Sequence, residues 1–168
     1  PQLTIYFTSS LGNNITIKNP NGITGLIDRR IKNNFEIIDD RLVIHEKVGE
    51  SSLDLALTFT SNNSPNIISY VNYGLTTVGP HITGIKSTIT RVLNNWAKEN
   101  KLLKSGDKNL DGNSLQEGML LVSNIVTKNV AYNAQVKTTV NKIDSSFVNK
   151  ILAEQLELWL DQNPTEGQ

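Results

Sequence analysis

Leu53, Leu55, Leu57 and Phe59 alternate with Asp54, Ala56 and Thr58. A period of two over seven residues demands a β-strand with one face in a core and the other turned away from it. A second constraint comes from the apolar run Met119-Leu-Leu-Val-Ser-Asn-Ile-Val126, which predicts a buried strand. Between them, Gly79-Pro80 breaks the chain. Ile82, Ile85, Ile89, Val92 or Leu93, and Trp96 then follow at helical spacing, so the longest helix starts there, with Trp96 in the core. Strands and helices mixed without strict alternation place the chain in the α+β class, with an antiparallel or mixed sheet packed against long helices in a ββαβ-type arrangement.

The remaining elements follow from shorter signals. Residues 3–7 and 15–17 are β-prone runs around the turn composition Ser9-Ser-Leu-Gly-Asn-Asn14 and predict a hairpin or two edge strands. After Asn19-Pro-Asn-Gly22, Ile23, Leu26, Ile27 and Ile31 make one face of a short helix. Arg29, Arg30 and Lys32 lie on its other side, as a solvated face or, alternatively, a DNA-facing patch. Residues 41–48 and 67–72 read as strands flanking the alternating one, so a β-meander is expected. Residues 105–114, polar and glycine-containing, read as a linker or mobile loop. Asp144 or Ser145 caps a last helix carrying Phe147, Val148, Ile151, Leu152, Leu156, Trp159 and Leu160, closed by Pro164.

At 168 residues the chain suits one domain with one core. Sixteen basic and sixteen acidic residues leave no net charge, which argues against a dedicated nucleic-acid-binding domain. Any DNA contact has to be local. No apolar run reaches the ~18 residues of a membrane span, no signal-peptide pattern is present, and the absence of cysteine removes disulfides and thiolate metal sites. These features predict an intracellular protein. The start at Pro1, directly before a strand, suggests a segment cut from a longer polypeptide.

Self-contained catalytic chemistry is missing. His45 and His81 sit far apart with no metal-ligand spacing: His45 reads as an ordinary strand histidine, and His81 is placed to cap or brace the helix start. Asp39-Asp40 are adjacent turn residues that point apart, so solvation is their expected role. The informative pair is Gln135 and Lys137, one residue apart in a polar loop after the buried strand. A lysine is a mobile point charge suited to a terminal phosphate, and a glutamine amide donates to the same oxygens. Taken alone, the pair fits a solvated loop better than a phosphate site, because exposed Gln and Lys on loops are common.

Read in order, Tyr70-Val-Asn72, Val78-Gly-Pro-His81 opening a long helix, Gln116-Glu-Gly118, Tyr132-Asn-Ala-Gln-Val-Lys137 and Leu158-Trp-Leu-Asp-Gln-Asn-Pro164 form a recognisable succession. It resembles the transducer domain of the ATPase subunit of a type IIA DNA topoisomerase, of the gyrase B or topoisomerase IV B kind. In that family the stretches read as an aromatic before Thr/Val-Asn, then Gly-Gly-Thr-His, Arg-Glu-Gly and Phe-x-x-Gln-Thr-Lys, at nearly these separations. Here Val78 and Pro80 replace a glycine and a threonine, Gln116 the arginine, and Val136 the threonine. The chain therefore resembles a divergent member.

The resemblance implies one transducer domain over residues 1–168, with strands and a short helix in 1–35 and the main sheet, long helices and ATP-reaching loop in 41–161. It implies that Gln135 and Lys137 contact the ATP γ-phosphate, with Tyr132, Gly79, His81 and Glu117 supporting the loop. ATP and Mg2+ would be held mainly by an N-terminal GHKL domain of the same polypeptide. A C-terminal cleavage-associated domain, the breakage-reunion subunit and DNA would be the other partners. The parent enzyme would be dimeric, cytoplasmic and not membrane-bound, and the segment alone would not be catalytic. A MutL-like repair ATPase and a non-enzymatic binding module are the competing readings; the Gln135-x-Lys137 spacing and Glu117-Gly118 favour the topoisomerase.

Overall fold

The computed structural model describes residues 3–8, 10, 12, 14–34, 40–104, 106–133 and 138–164. Leu3–Thr8 (β1) and Asn14–Asn19 (β2) form an antiparallel hairpin, and Gly22–Asn34 (α1) follows. Leu42–Val48 (β3), Ser51–Phe59 (β4), Asn66–Val71 (β5) and Gly74–Leu75 (β6) precede the long helix Pro80–Glu99 (α2). Gly112–Leu115 (α3), Met119–Val126 (β7), the hairpin of Val130–Tyr132 (β8) with Val140–Ile143 (β9), and Ser146–Gln162 (α4) complete the described chain.

The central sheet has the order β3-β4-β7-β5-β6. The expected meander is therefore not formed. β7 inserts between β4 and β5, antiparallel to β4 and parallel to β5. The physical reason lies in its sequence: residues 119–122 are all buried, so this strand needs neighbours on both edges and cover on both faces, a place that β5 alone would not occupy.

Alternation along β4 divides the interior in two. Leu53, Leu55 and Leu57 face a large core with Ile85, Ile89, Val92 and Trp96 of α2 and Leu152, Leu156 and Leu160 of α4. Ala56 on the other face joins Leu120, Val122 and Ile27 of α1 in a smaller core. Thus α2 and α4 cover one face of the sheet and α1 the other. Each fully buried Leu or Ile here contributes about 1.5–3 kcal/mol from apolar burial, which makes the α2–α4 face the stronger attachment. An ion pair between Arg41 and Asp28 adds a polar tie between α1 and the start of β3.

Residues 106–114 are less linker-like than their composition implies, and Ser105 lies outside the described residues. Asn94, 3% exposed on α2, accepts from the Leu110 N–H at 2.7 Å and donates to the Leu110 carbonyl at 3.1 Å. Asp111 then caps the one-turn α3 by accepting from the N–H groups of Asn113 and Ser114. Gly118, at φ +75°, makes the turn into β7, where a Cβ would stand 2.5 Å from the Thr60 carbonyl oxygen. Only glycine fits there.

Candidate functional site

Gln135 and Lys137 lie outside the described residues, as do residues 134 and 136. Both ends of their loop are described, and both are anchored. The Asn133 N–H donates to the Thr139 carbonyl at 3.2 Å, closing the β8–β9 hairpin below the loop. On the far side, the Thr138 carbonyl accepts from the Thr77 N–H at 2.9 Å and from the Val78 N–H at 3.4 Å, and the Val140 N–H donates to the Val78 carbonyl at 3.0 Å. These bonds make a short parallel bridge between residues 78 and 139. They fasten the loop to the segment that runs directly into α2.

Three of the residues expected to support the loop lie at this base. Tyr132, at a bulge in β8, donates its hydroxyl to the Val71 carbonyl at the end of β5 at 3.3 Å. Gly79, the residue before α2, passes so close to Val140 and His81 that a Cβ would stand 3.0 Å from the Val140 oxygen and 2.8 Å from the His81 ring. Pro80 at the first helical position then sets the helix start without needing an N–H. Glu117 is not brought to them. It lies before the first residue of β7, whereas the hairpin follows its last; eight residues of extended strand separate the two ends by roughly 25 Å.

His81 is completely buried, and neither ring nitrogen has a hydrogen-bond partner among the described residues. Burial penalises the imidazolium, so its pKa falls from 6.5 to about 4. The ring is neutral near pH 7. Of the two roles expected from sequence, the cap is not formed; the ring packs against Gly79 instead. Its room comes from Gly79, whose missing side chain is the one signal in the sequence that could have announced it.

Gln116, in place of an arginine, is 7% exposed and donates to the Thr90 hydroxyl on α2 at 3.3 Å. A neutral amide thus holds the turn before β7 against the helix. Arg91, with Lys86, lines a polar groove of 460 Å3 on the outer side of α2. Arg29 and Arg30 sit on α1, on the other face of the sheet, so the three arginines do not form one surface. Asp40 is exposed, and its neighbour Asp39 lies outside the described residues. Among the described residues no cluster of acidic or histidine side chains is arranged to hold a metal, and no helix is long and apolar enough to cross a membrane.

The anchoring residues Thr77, Val78, Thr138 and Val140 were not legible as a site from sequence. Their signal is weak: two short β-prone runs, 130–132 and 140–143, too brief to distinguish a hairpin from a loop.

The fold and these bonds define a class: an α+β domain whose β8–β9 hairpin is tied to the segment leading into its longest helix. The family described as DNA gyrase B matches residues 22–168. The DNA gyrase B protein of Clostridium acetobutylicum is 32% identical over 119 residues, covering 69% of this chain and 18% of that protein. The gyrase B protein of Staphylococcus epidermidis is 28% identical over 148 residues, covering 87% and 23%. Among solved structures, the 43K ATPase domain of Thermus thermophilus gyrase B, in complex with an aminocoumarin, superposes with a TM-score of 0.81 at 21% identity, over 98% of this chain and 45% of that one. The topoisomerase IV ATP-binding domain of Francisella tularensis, bound to a small-molecule inhibitor, gives 0.75 at 26% identity over the same shares. The chain belongs to the DNA gyrase B family. It spans about a fifth of the length of the curated relatives it matches.

Proposed function

We propose that this chain is the transducer segment of the ATPase subunit of a type II DNA topoisomerase, and that its 134–137 loop meets the ATP γ-phosphate through Gln135 and Lys137. The observation that carries this reading is the anchoring of the loop. The Thr138 carbonyl is bonded to the Thr77 and Val78 N–H groups immediately ahead of α2, so a pull on the loop is delivered to the longest helix and, through Tyr132 and Val71, to the sheet.

The donor set suits the ligand. A lysine ammonium and a glutamine amide both present N–H donors to phosphate oxygens. Each charge-assisted contact stabilises by roughly 1.5–3 kcal/mol, and two of them bias a bistable interface by far more than tenfold. ATP, held with Mg2+ by a GHKL domain of the same polypeptide, supplies the terminal phosphate charge that these donors sense. The chain's part is to hold the loop against that charge and pass its release to α2 and α4, a phosphate-dependent switch. The parent acts as a cytoplasmic dimer together with a cleavage-associated domain, the breakage-reunion subunit and DNA. The segment by itself is not catalytic.

The test is ATP turnover by the full-length protein with its partner, with and without DNA, comparing wild type with Lys137→Ala and Gln135→Ala. A collapse in turnover with unchanged thermal melting supports phosphate sensing by this loop. Unchanged turnover refutes it.

A further inference from the structure

His45, Asp54, Asn124 and Tyr70 occupy a single row across four neighbouring strands. In the ladder His45 pairs with Asp54, Asp54 with Asn124, and Asn124 with Tyr70. The strand alternation puts all four on the face that carries α1. The next row along, Ala56, Val122 and Ile68, is apolar and packs under α1. This polar row instead floors a pocket of 330 Å3, with Ile23 and Leu26 of the first turns of α1 as one wall and Tyr73 among its other lining residues. The volume and the balance of apolar walls with a few polar groups match a small-molecule site.

The floor has a definite hydrogen-bonding pattern. His45 Nδ1 and Asp54 Oδ1 lie 2.8 Å apart, which leaves the second carboxylate oxygen of Asp54 as an acceptor. The Tyr73 N–H donates to Asn124 Oδ1 at 3.3 Å. That fixes the amide orientation, so Asn124 Nδ2 is a donor with no hydrogen-bond partner among the described residues. An acceptor and a donor thus stand side by side at a cross-strand spacing of about 4.5–5.5 Å. Tyr70 adds an aromatic surface shared with the small core under α1. Tyr73 is held at φ 65° in the tight turn between β5 and β6 and is 70% exposed, although it is large and partly apolar.

From this arrangement we infer that the pocket between α1 and the Asp54–Asn124 row binds a flat heteroaromatic ligand bearing a primary amide or an equivalent donor–acceptor edge. The ligand's N–H groups go to Asp54, its acceptor to Asn124 Nδ2, and its ring packs against Ile23, Leu26 and the tyrosines. This site lies on the opposite face of the sheet from α2, so it is separate from the loop assigned to phosphate sensing, and its occupancy does not depend on that assignment.

The experiment is an amide-resolved NMR titration of the 168-residue chain with nicotinamide, and in parallel with 3-acetylpyridine, which keeps the ring and carbonyl but lacks the N–H donors. Nicotinamide should bind saturably with a roughly millimolar Kd, as expected for so few atoms, shifting the Asn124 side-chain amide and the Tyr73 and Gly22 N–H signals. 3-Acetylpyridine should bind about tenfold more weakly. Asp54→Asn, which preserves shape, should weaken nicotinamide by a similar factor, and Asn124→Leu should abolish its preference over 3-acetylpyridine. The inference is overturned by equal binding of the two probes, which would mean an apolar cleft only. Unmoved signals along the row, or wild-type affinity in variants whose spectra remain folded, also overturn it.

Discussion

Asn72 and Thr127 are joined twice: the Asn72 amide donates to the Thr127 carbonyl at 3.0 Å and accepts from its N–H at 2.9 Å. Asn72 sits at φ 50° in the two-residue turn between β5 and β6, a conformation that asparagine tolerates better than most residues. Its side chain therefore imitates one more rung of the ladder between β5 and β7, beyond the last paired residues Val71 and Ile125. The pair locks the exit of β7, from which the β8–β9 hairpin departs.

Asn72→Ala removes both bonds, strands the Thr127 groups and puts a Cβ-bearing residue without local hydrogen bonding at positive φ. A loss of about 2 kcal/mol is expected. Asn72→Gly relieves the backbone term but not the bonding term, so it should recover only part of that loss in urea unfolding. Equal stability of Asn72→Ala and wild type would rule out a bracing role.

Acid should weaken the fold through His81. Its folded pKa is about 4, below the 6.5 of an unconstrained ring. Between these values the unfolded chain binds the proton and the folded chain does not, so stability falls as pH drops. This one group predicts a loss of roughly 2 kcal/mol between pH 7 and pH 5. Urea denaturation at the two pH values measures it. His81→Phe, which cannot titrate, should flatten that part of the profile; an unchanged slope would assign the acid sensitivity elsewhere.

Gly79→Ala drives a Cβ to within 2.8 Å of the His81 ring and 3.0 Å of the Val140 oxygen. Overpacking of this kind costs about 1–3 kcal/mol. The clash with the ring is relieved if the ring is removed, so Gly79→Ala/His81→Ala should be less unstable than the sum of its single variants. A double-mutant cycle in chemical unfolding reads the coupling. Additive effects would show that the two residues do not meet.

What the sequence revealed follows from how local each signal is. β4 was legible because Leu53, Leu55 and Leu57 are buried on one face and the sequence alternates without a break from Leu53 to Phe59, and α2 because Ile85, Ile89, Val92 and Trp96 all enter the same core. The helix at residues 22–34 and the final helix were also readable from apolar spacing. The strand order was not. Pairing β5 parallel to β7 joins residues more than fifty positions apart, and nothing in either strand names its neighbour. The capping of α4 was half legible: Asp144, not the N-cap residue Ser145, accepts from the Ser146 hydroxyl and N–H, and these bonds lower its pKa. At the candidate site, the succession of motifs led to the loop and to Gly79 and His81. The bonds that tether the loop run through backbone groups of Thr77, Val78 and Thr138, which side-chain patterns do not report.

Those backbone tethers give the last prediction. Thr77 donates its N–H to the Thr138 carbonyl at 2.9 Å, one of the bonds between the loop base and the segment before α2. Thr77→Pro deletes that donor while leaving Gln135 and Lys137 in place. If the loop senses phosphate and passes the event through this contact, the full-length protein carrying Thr77→Pro should retain most of its ATP turnover yet lose strand passage, whereas Lys137→Ala should lose both. The two are separable by measuring ATP consumption and DNA relaxation or supercoiling in the same reactions. A parallel fall of both activities in Thr77→Pro would mean that the residue merely supports the fold. Strand passage that stays proportional to ATP turnover at wild-type efficiency would place the relay outside the Thr77–Thr138 contact.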